Sequence, residues 1–481
     1  MELVHDRFFI GGEWVAPSTS LRFTVVNAST EETLGSTPEG VRADVDAAVS
    51  AARRAFDDSS GWRAWAPSAR AEMMRRLAAA LDARRAEITR VVSSENGMPT
   101  ALGEMLEGTV PSMLLRYYAD LISDAPAEEH RDGLLGGPVR VRREPVGVVA
   151  AIVPWNAPQT LASGKYAPAL AAGCTIVLKP SPETALDAVL FAQAVQEAGV
   201  PDGVVNVVPA DREAGAYLVA HPGIDKVAFT GSSAAGRSIA EACGRLLRPV
   251  SLELGGKSAA IVLDDADLDS EAIRRELVAA TLMNNGQACF ASTRVLAPRS
   301  RYKEVVEAVS SLAASLTVGD PLDPSTDVGP LASAKQRDRV EGYIARGVKE
   351  GSRLTVGGGR PKHLKRGWYV EPTVFADVDN HQVIAREEIF GPVLVVIAYK
   401  DEEDAIRLAN DSEYGLAGSV WTRDVQRGLE VARRMHTGSV GINHYMSDPV
   451  APFGGVKQSG IGRELGPEGL AGYQQFKSVY L

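Results

Sequence analysis

Cys289, in the segment Asn285-Gly286-Gln287-Ala288-Cys289, follows Glu253 of Glu253-Leu254-Gly255-Gly256-Lys257 by 36 residues. The two segments supply a thiol and a carboxylate. Most free cysteines are small buried hydrophobes. Here Gly286 and Ala288 give the thiol little steric cover, and a nucleophilic thiol must be reachable and partly ionised. Cys289 therefore reads as a nucleophile. Glu253 ends an apolar run directly before a glycine pair, which sets it apart from an ordinary surface carboxylate.

These two segments resemble the signature segments of the aldehyde dehydrogenase superfamily. Pro154-Trp155-Asn156, Lys179-Pro180-Ser181, Phe229-Thr230-Gly231-Ser232, Glu388-Ile389-Phe390-Gly391-Pro392 and Pro452-Phe453-Gly454-Gly455 are similar to further motifs of that family, in family order, from about residue 8 to the C-terminus. The resemblance implies an α/β fold: a Rossmann-type cofactor domain, a second α/β catalytic domain and a small β segment for oligomerisation. It also implies oxidation of an aldehyde to an acid with NAD(P)+. Cys289 would add to the carbonyl carbon, and Glu253 would act as general base when water cleaves the thioester. A carboxylate at Glu253 separates this pattern from relatives that pass the acyl group to coenzyme A. Asn156 matches the family's amide donor to the oxyanion, with the Cys289 backbone N–H as partner. Lys165 and Glu464 align with positions tied to proton relay, structural ion pairing being the other reading.

Lys179 stands at the end of an apolar run, where dinucleotides bind doubly wound sheets. Gly231-Ser232-Ser233-Ala234-Ala235-Gly236 supplies a Gly-rich turn into a helix whose free N–H groups can meet a pyrophosphate, although its spacing is not G-x-G-x-x-G. By resemblance, Ile152, Pro154, Trp155 and Ser181 join Lys179 as cofactor contacts. So do Gly231, Ser232, Leu254, Glu388 and Phe390, with Glu388 on the nicotinamide ribose. Many NAD-preferring relatives carry Glu three residues after the lysine, whereas this chain has Pro182 and then Glu183. That weakens the case against NADP, yet no Arg or Lys follows to receive a 2′-phosphate, so NAD is favoured. Positions that often hold bulky aromatics near the substrate are Ala157 and Gly164 here. With Leu161, Phe290 and Phe453 they suggest a roomy apolar pocket for aromatic or branched, terpenoid-like aldehydes. Two other functions compete: a cofactor-independent Cys-Glu thioesterase or esterase, and a catalytically silent scaffold on the same fold.

The elements that must position these groups are legible from residue 146 onward. Short apolar runs alternate with longer helical ones, the pattern of a parallel sheet covered by helices. Strands are expected over 146–153, 174–178, 204–208, 226–229 and 250–254. Helices are expected over 161–172, 183–198, 212–220 and 234–246. A hairpin is expected at Gly11-Gly12. A second series starts with a strand over 259–263 and a helix over 268–284, with Asp264-Asp265-Ala266-Asp267 favouring that helix's N-terminus. The expected division is 1–122 with 146–255 for the cofactor domain and 256–465 for the catalytic domain. The resemblance implies that residues 123–145 with 466–481 form a bridging segment that builds a homodimer or homotetramer.

A chain of 481 residues exceeds one core. Its 51 basic and 61 acidic residues give a net charge of −10 without long blocks of one sign, which disfavours nucleic acid as a partner. Three widely spaced cysteines, Cys174, Cys243 and Cys289, offer neither a disulfide framework nor zinc-site spacing, so no metal is expected. No membrane-length apolar stretch and no secretory signal are apparent, and the cytoplasm is the expected location.

Overall fold

The computed structural model describes residues 3–123 and 128–481. A hairpin of β1 (Phe8–Ile10) and β2 (Glu13–Val15) opens the first sheet. It turns through Gly11 and Gly12, whose φ values of 67° and 88° suit a two-residue hairpin loop. Helices α1 (Arg42–Asp57), α2 (Pro67–Asp82), α3 (Arg85–Asn96) and α4 (Val110–Ser123) follow. Then comes the alternation read from the sequence: β3 (Val148–Ile152), α5 (Pro158–Ala172), β4 (Thr175–Lys179), α6 (Leu186–Ala198), β5 (Val205–Val207), α7 (Arg212–Ala220), β6 (Lys226–Thr230), α8 (Ser233–Arg245) and β7 (Val250–Glu253).

β3 is buried on both faces, hence its unbroken apolar run. Val149 and Ala151 pack into the core with α2, α4, α5 and α6, while Val148, Ala150 and Ile152 face α1, α7 and α8. Strand order runs β7-β6-β3-β4-β5-β1-β2. The chain thus leaves β3 in one direction and later returns to its other side at β6. The β3/β6 boundary is a topological switch point, where ligands bind open α/β sheets.

The second sheet contains β8 (Ala259–Val262), followed by α9 (Glu271–Leu282), then β9 (Arg294–Pro298), β10 (Arg353–Val356), β11 (Thr373–Ala376), β12 (Val393–Tyr399), β13 (Gly418–Trp421) and β14 (Gly441–Ile442). Its order is β10-β11-β12-β9-β8-β13-β14. The strand β15 (Gly460–Ile461) falls within 256–465, the stretch assigned to the second domain, yet it pairs antiparallel with β7 and forms an edge of the first sheet. The expected boundary is corrected there: the chain crosses back before it ends, and carries Glu464 with it.

Two expectations about the second series also change. The helix expected over 268–284 is confined to Glu271–Leu282, with Ser270 as N-cap. The acidic run lies ahead of it and serves another element. Asp265 accepts from Thr422 Oγ1 and the Arg423 and Asp424 N–H groups, Asp264 pairs with Arg427, and Asp267 with Arg423. Three carboxylates tied to a neighbouring loop's cations and amides gain more there than from a helix dipole.

The segment expected to bridge subunits has little periodicity, but it contains strands. Gln474–Tyr480 pairs along its length with Pro138–Pro145, which in turn pairs with Glu128–Asp132. Residues 124–127 of that segment lie outside those described. Among the described residues no helix is long and apolar enough to cross a membrane.

Candidate active site between the two sheets

Cys289 sits between α9 and β9, on a loop that departs from helix geometry at Asn284 and Asn285 (φ 54° and 60°). Asn tolerates this left-handed region better than other side chains with a Cβ. Both asparagines are fixed by their amides. Asn285 donates to the Gly97 and Pro330 carbonyls and accepts from Gly329 N–H, and Asn284 donates to the Asn156 carbonyl at 2.8 Å. Asn156 Nδ2 donates to the Gln287 carbonyl at 2.9 Å, two residues before Cys289. The nucleophile loop and the turn after β3 are therefore bonded in both directions.

The thiol is half-buried, unlike the fully buried Cys174 and Cys243. Its burial, then the carboxylates of Glu388 and Glu253, hold its proton affinity well above the usual thiol range. The sequence reading asks for a partly ionised thiol, and these surroundings work against ionisation.

Glu253 ends β7 with 2% exposure, and among the described residues neither carboxylate oxygen has a hydrogen-bond partner. A Cβ on Gly454 would come within 2.7 Å of Glu253 Oε1. Burial and then Glu464 raise its proton affinity, which Lys165 offsets only in part. Glu464 lies alongside but is neutralised: Lys165 Nζ donates to Glu464 Oε1 at 2.5 Å and to Thr230 Oγ1 at 2.6 Å, all three side chains being buried. A buried, unpaired carboxyl with raised proton affinity has the properties of a general base.

The cofactor candidates gather at the C-terminal ends of β3, β4, β6 and β7. Ile152, Pro154 and Trp155 end or follow β3, Lys179 and Ser181 end or follow β4, Gly231 and Ser232 follow β6, and Leu254 follows β7. Ser232 caps α8 by accepting from Ala235 N–H, leaving further N–H groups of the first turn facing the switch point. Lys179 is buried and donates to the Pro180 and Ala210 carbonyls, and its burial lowers it to about 8. Ser181 donates to Glu183, so the carboxylate one place beyond Pro182 returns to this loop. Phe390 stands edge-to-face with Trp155, centroids 5.4 Å apart. Glu388 accepts from Gly256 N–H at 3.0 Å, and burial pushes it up to about 7. A cation, a helix N-terminus and a carboxylate at strand ends fit a dinucleotide's ribose, pyrophosphate and second ribose.

The Aldehyde dehydrogenase family model matches residues 14–479. This chain belongs to the aldehyde dehydrogenase family. It is 56% identical over 481 residues to the geranial dehydrogenase of Castellaniella defragrans, covering 100% of both proteins. It is 42% identical to a 3-succinoylsemialdehyde-pyridine dehydrogenase of a Pseudomonas species, covering 99% of this chain and 98% of that one. A crystal structure of a Mycobacterium tuberculosis aldehyde dehydrogenase complexed with NAD+ superimposes with a TM-score of 0.97 at 50% identity, covering 100% and 99% of the two chains. A mutant of aldehyde dehydrogenase C from Pseudomonas syringae, solved with NAD+ and octanal, gives a TM-score of 0.94 at 40% identity, covering 99% and 96% of the two chains.

In this aldehyde dehydrogenase Ala157 is the N-cap of α5 and Leu161 lies one turn on. Phe290, directly after the nucleophile, packs on Tyr445 at 5.2 Å. Phe453 exchanges backbone hydrogen bonds with Glu464 (2.7 and 2.8 Å), so the expected pocket wall is tied to the ion pair. Gly164 lies against the buried ion pair. A Cβ there would lie 3.1 Å from Glu464 Oε2, so its smallness makes room for the ion pair. Sequence reasoning missed Tyr445, whose charge coupling reaches both Cys289 and Glu253, and Thr230, the second acceptor for Lys165. Thr230 was visible inside the Phe229-Thr230-Gly231-Ser232 motif. Tyr445 carried no signal beyond lying in the loop near His444.

Proposed function

We propose that this aldehyde dehydrogenase oxidises a hydrophobic aldehyde, aromatic or branched and terpenoid-like, to the carboxylic acid with NAD as hydride acceptor. The observation that carries the reading is the juxtaposition of a half-buried thiol with a buried, unpartnered carboxylate beside the switch point of a dinucleotide-type sheet. Cys289 Sγ releases its proton to solvent water and adds as the thiolate to the carbonyl carbon. Asn156 spends one amide N–H on the Gln287 carbonyl, and its second, with the Cys289 backbone N–H, serves the developing oxyanion. Bound NAD supplies the acceptor for the hydride whose departure turns the adduct into a thioester. Glu253 then takes a proton from water as the water's oxygen attacks the thioester carbon, and the Cys289 thiolate leaves as the acid forms. The Lys165–Glu464 pair is the route by which Glu253 returns that proton.

The substrate class rests on the small residue Ala157 at a position that often holds a bulky aromatic, on the aromatic pair Phe290 and Tyr445 after the nucleophile, and on 56% identity to a geranial dehydrogenase. NAD over NADP rests on the absence of a cation after Lys179 and on the likeness to an enzyme solved with NAD+. A homodimer or homotetramer is supported by the strand Gln474–Tyr480, which leaves Phe476 and Tyr480 63% and 79% exposed. The domain division, amended at β15, and a cytoplasmic location complete the proposal. The test follows NADH absorbance with geranial, benzaldehyde and acetaldehyde, with NAD+ or NADP+, for the wild type and Cys289→Ala. Cys289-dependent NADH formation with kcat/KM highest for geranial is expected. A higher value for acetaldehyde defeats the substrate class, and a flat trace with every aldehyde defeats the reading itself.

A further inference from the structure

The turn that carries Asn156 enters α5 without a cap of its own. Its N-cap, Ala157, has no side-chain acceptor, and Pro158 at the first helical position has no N–H. The first donor in need of a partner is the N–H of Gln159, a residue 2% exposed. An unmet buried N–H is costly to the fold. The acceptor comes from another part of the chain: Glu107 Oε2 receives the Gln159 N–H at 2.8 Å.

Glu107 belongs to a π-helical turn, Glu104–Thr109, directly before α4. Such widened turns are rare and recur at functional sites. The widened turn is fastened to the same first turn of α5 a second time, through Thr160 Oγ1 donating to the Leu106 carbonyl at 2.6 Å. Two other buried carboxylates lie nearby and bond elsewhere. Glu95 accepts from Leu186 N–H at the start of α6, and Asp187 accepts from the Gln159 side chain. Of the three, only Glu107 bonds the backbone of the turn that follows Asn156.

We propose that Glu107 is a positioning residue for catalysis, capping α5 from outside so that Asn156 presents its amide to the reacting oxygen. The inference rests on Asn156 acting as oxyanion donor. A carboxylate suits the positive end of α5. A misplacement of about 1 Å at a catalytic group costs on the order of 100-fold in rate.

The experiment measures kcat, KM and the rate at which iodoacetamide alkylates Cys289, in the full-length enzyme, for Glu107→Gln, Glu107→Asp and Glu107→Ala. Glu107→Gln keeps an acceptor oxygen at the same reach and should stay within about threefold of wild-type kcat, because a neutral acceptor still meets the N–H. Glu107→Ala removes the acceptor and should lower kcat by about 10- to 100-fold, with KM and alkylation little changed. Glu107→Asp withdraws the oxygen by one methylene and should fall between, so it carries the test if Glu107→Ala does not fold.

Asn156→Ala and the double variant Asn156→Ala with Glu107→Asp complete the cycle. If Glu107 acts through Asn156, the second substitution adds little to the first. Additive losses, equal impairment of Gln and Asp variants, or wild-type kcat in Glu107→Asp would each overturn the proposal. An Asn156→Ala enzyme with undiminished kcat would overturn the oxyanion role and leave aldehyde oxidation by Cys289 standing.

Discussion

Two neighbouring buried carboxylates, Glu253 and Glu464, are treated in opposite ways. Glu464 is held by Lys165, with Thr230 as the lysine's second acceptor. Glu253, equally enclosed, has no hydrogen-bond partner for either oxygen and lies close enough to Glu464 for the second charge to raise its proton affinity. A buried ion pair contributes little net stability, because desolvation consumes most of the attraction, while leaving one partner alone is costly. The contrast therefore concerns reactivity more than stability. The paired group is fixed and electrostatically satisfied, and the unpaired one retains an appetite for a proton.

The largest test of this contrast removes the acyl group on which Glu253 would act. Cys289→Ala should reduce NADH formation to background at every pH, and residual turnover would mean that no thioester exists for either carboxylate to serve. Next, Glu253→Gln should slow steady-state turnover by about 10²- to 10⁴-fold, the usual worth of a general base. A first burst of NADH should remain in rapid-mixing traces, since the base is needed after the hydride has left. Loss of the burst would place Glu253 in the earlier step.

Glu464→Gln strands the Lys165 ammonium in a buried site and should cost about 3–5 kcal/mol in denaturant unfolding. Its kcat should fall by less than that of Glu253→Gln. Equal losses of kcat would erase the distinction between the two groups.

The smallest effect is in the pH dependence of stability. Glu253 has its proton affinity raised above the ordinary value of 4.5, so the fold keeps a proton that the unfolded chain has released. Its contribution is fully present below pH 4.5 and is lost as pH rises through the folded value. Glu253→Gln lacks this loss, so the Tm of the variant relative to wild type should increase from acid to alkaline buffer. Activity runs the other way, rising with pH as the Cys289 thiol and Glu253, both shifted upward, lose their protons. A kcat/KM that does not rise with pH would contradict both directions.

The parts of this site that were legible in the sequence are those carried by short segments. The alternation after residue 146 follows from strands buried on both faces, which demand unbroken apolar runs such as Val148–Ile152. The segments around Cys289, Glu253, Asn156 and Lys179 were visible as motifs, each within a few residues. The acidic run at Asp264 misled because a helix dipole is a local expectation, and Arg423 and Arg427 lie more than 150 residues away in sequence. What the missing side chain of Gly164 makes room for was not legible for a similar reason: it depends on the neighbour, here Glu464.

By itself the sequence determined the reactive groups, the alternation of strands and helices from residue 146 to 254, and the family to which the chain belongs, because these reside in local spacing. Only the tertiary structure decided which carboxylate is paired and which is free. Lys165 and Glu464 meet across 299 residues, and β15 returns to the first sheet to bring them together. Burial and charge compensation are properties of the packed whole, and they separate Glu253 from Glu464 although the two side chains are chemically identical.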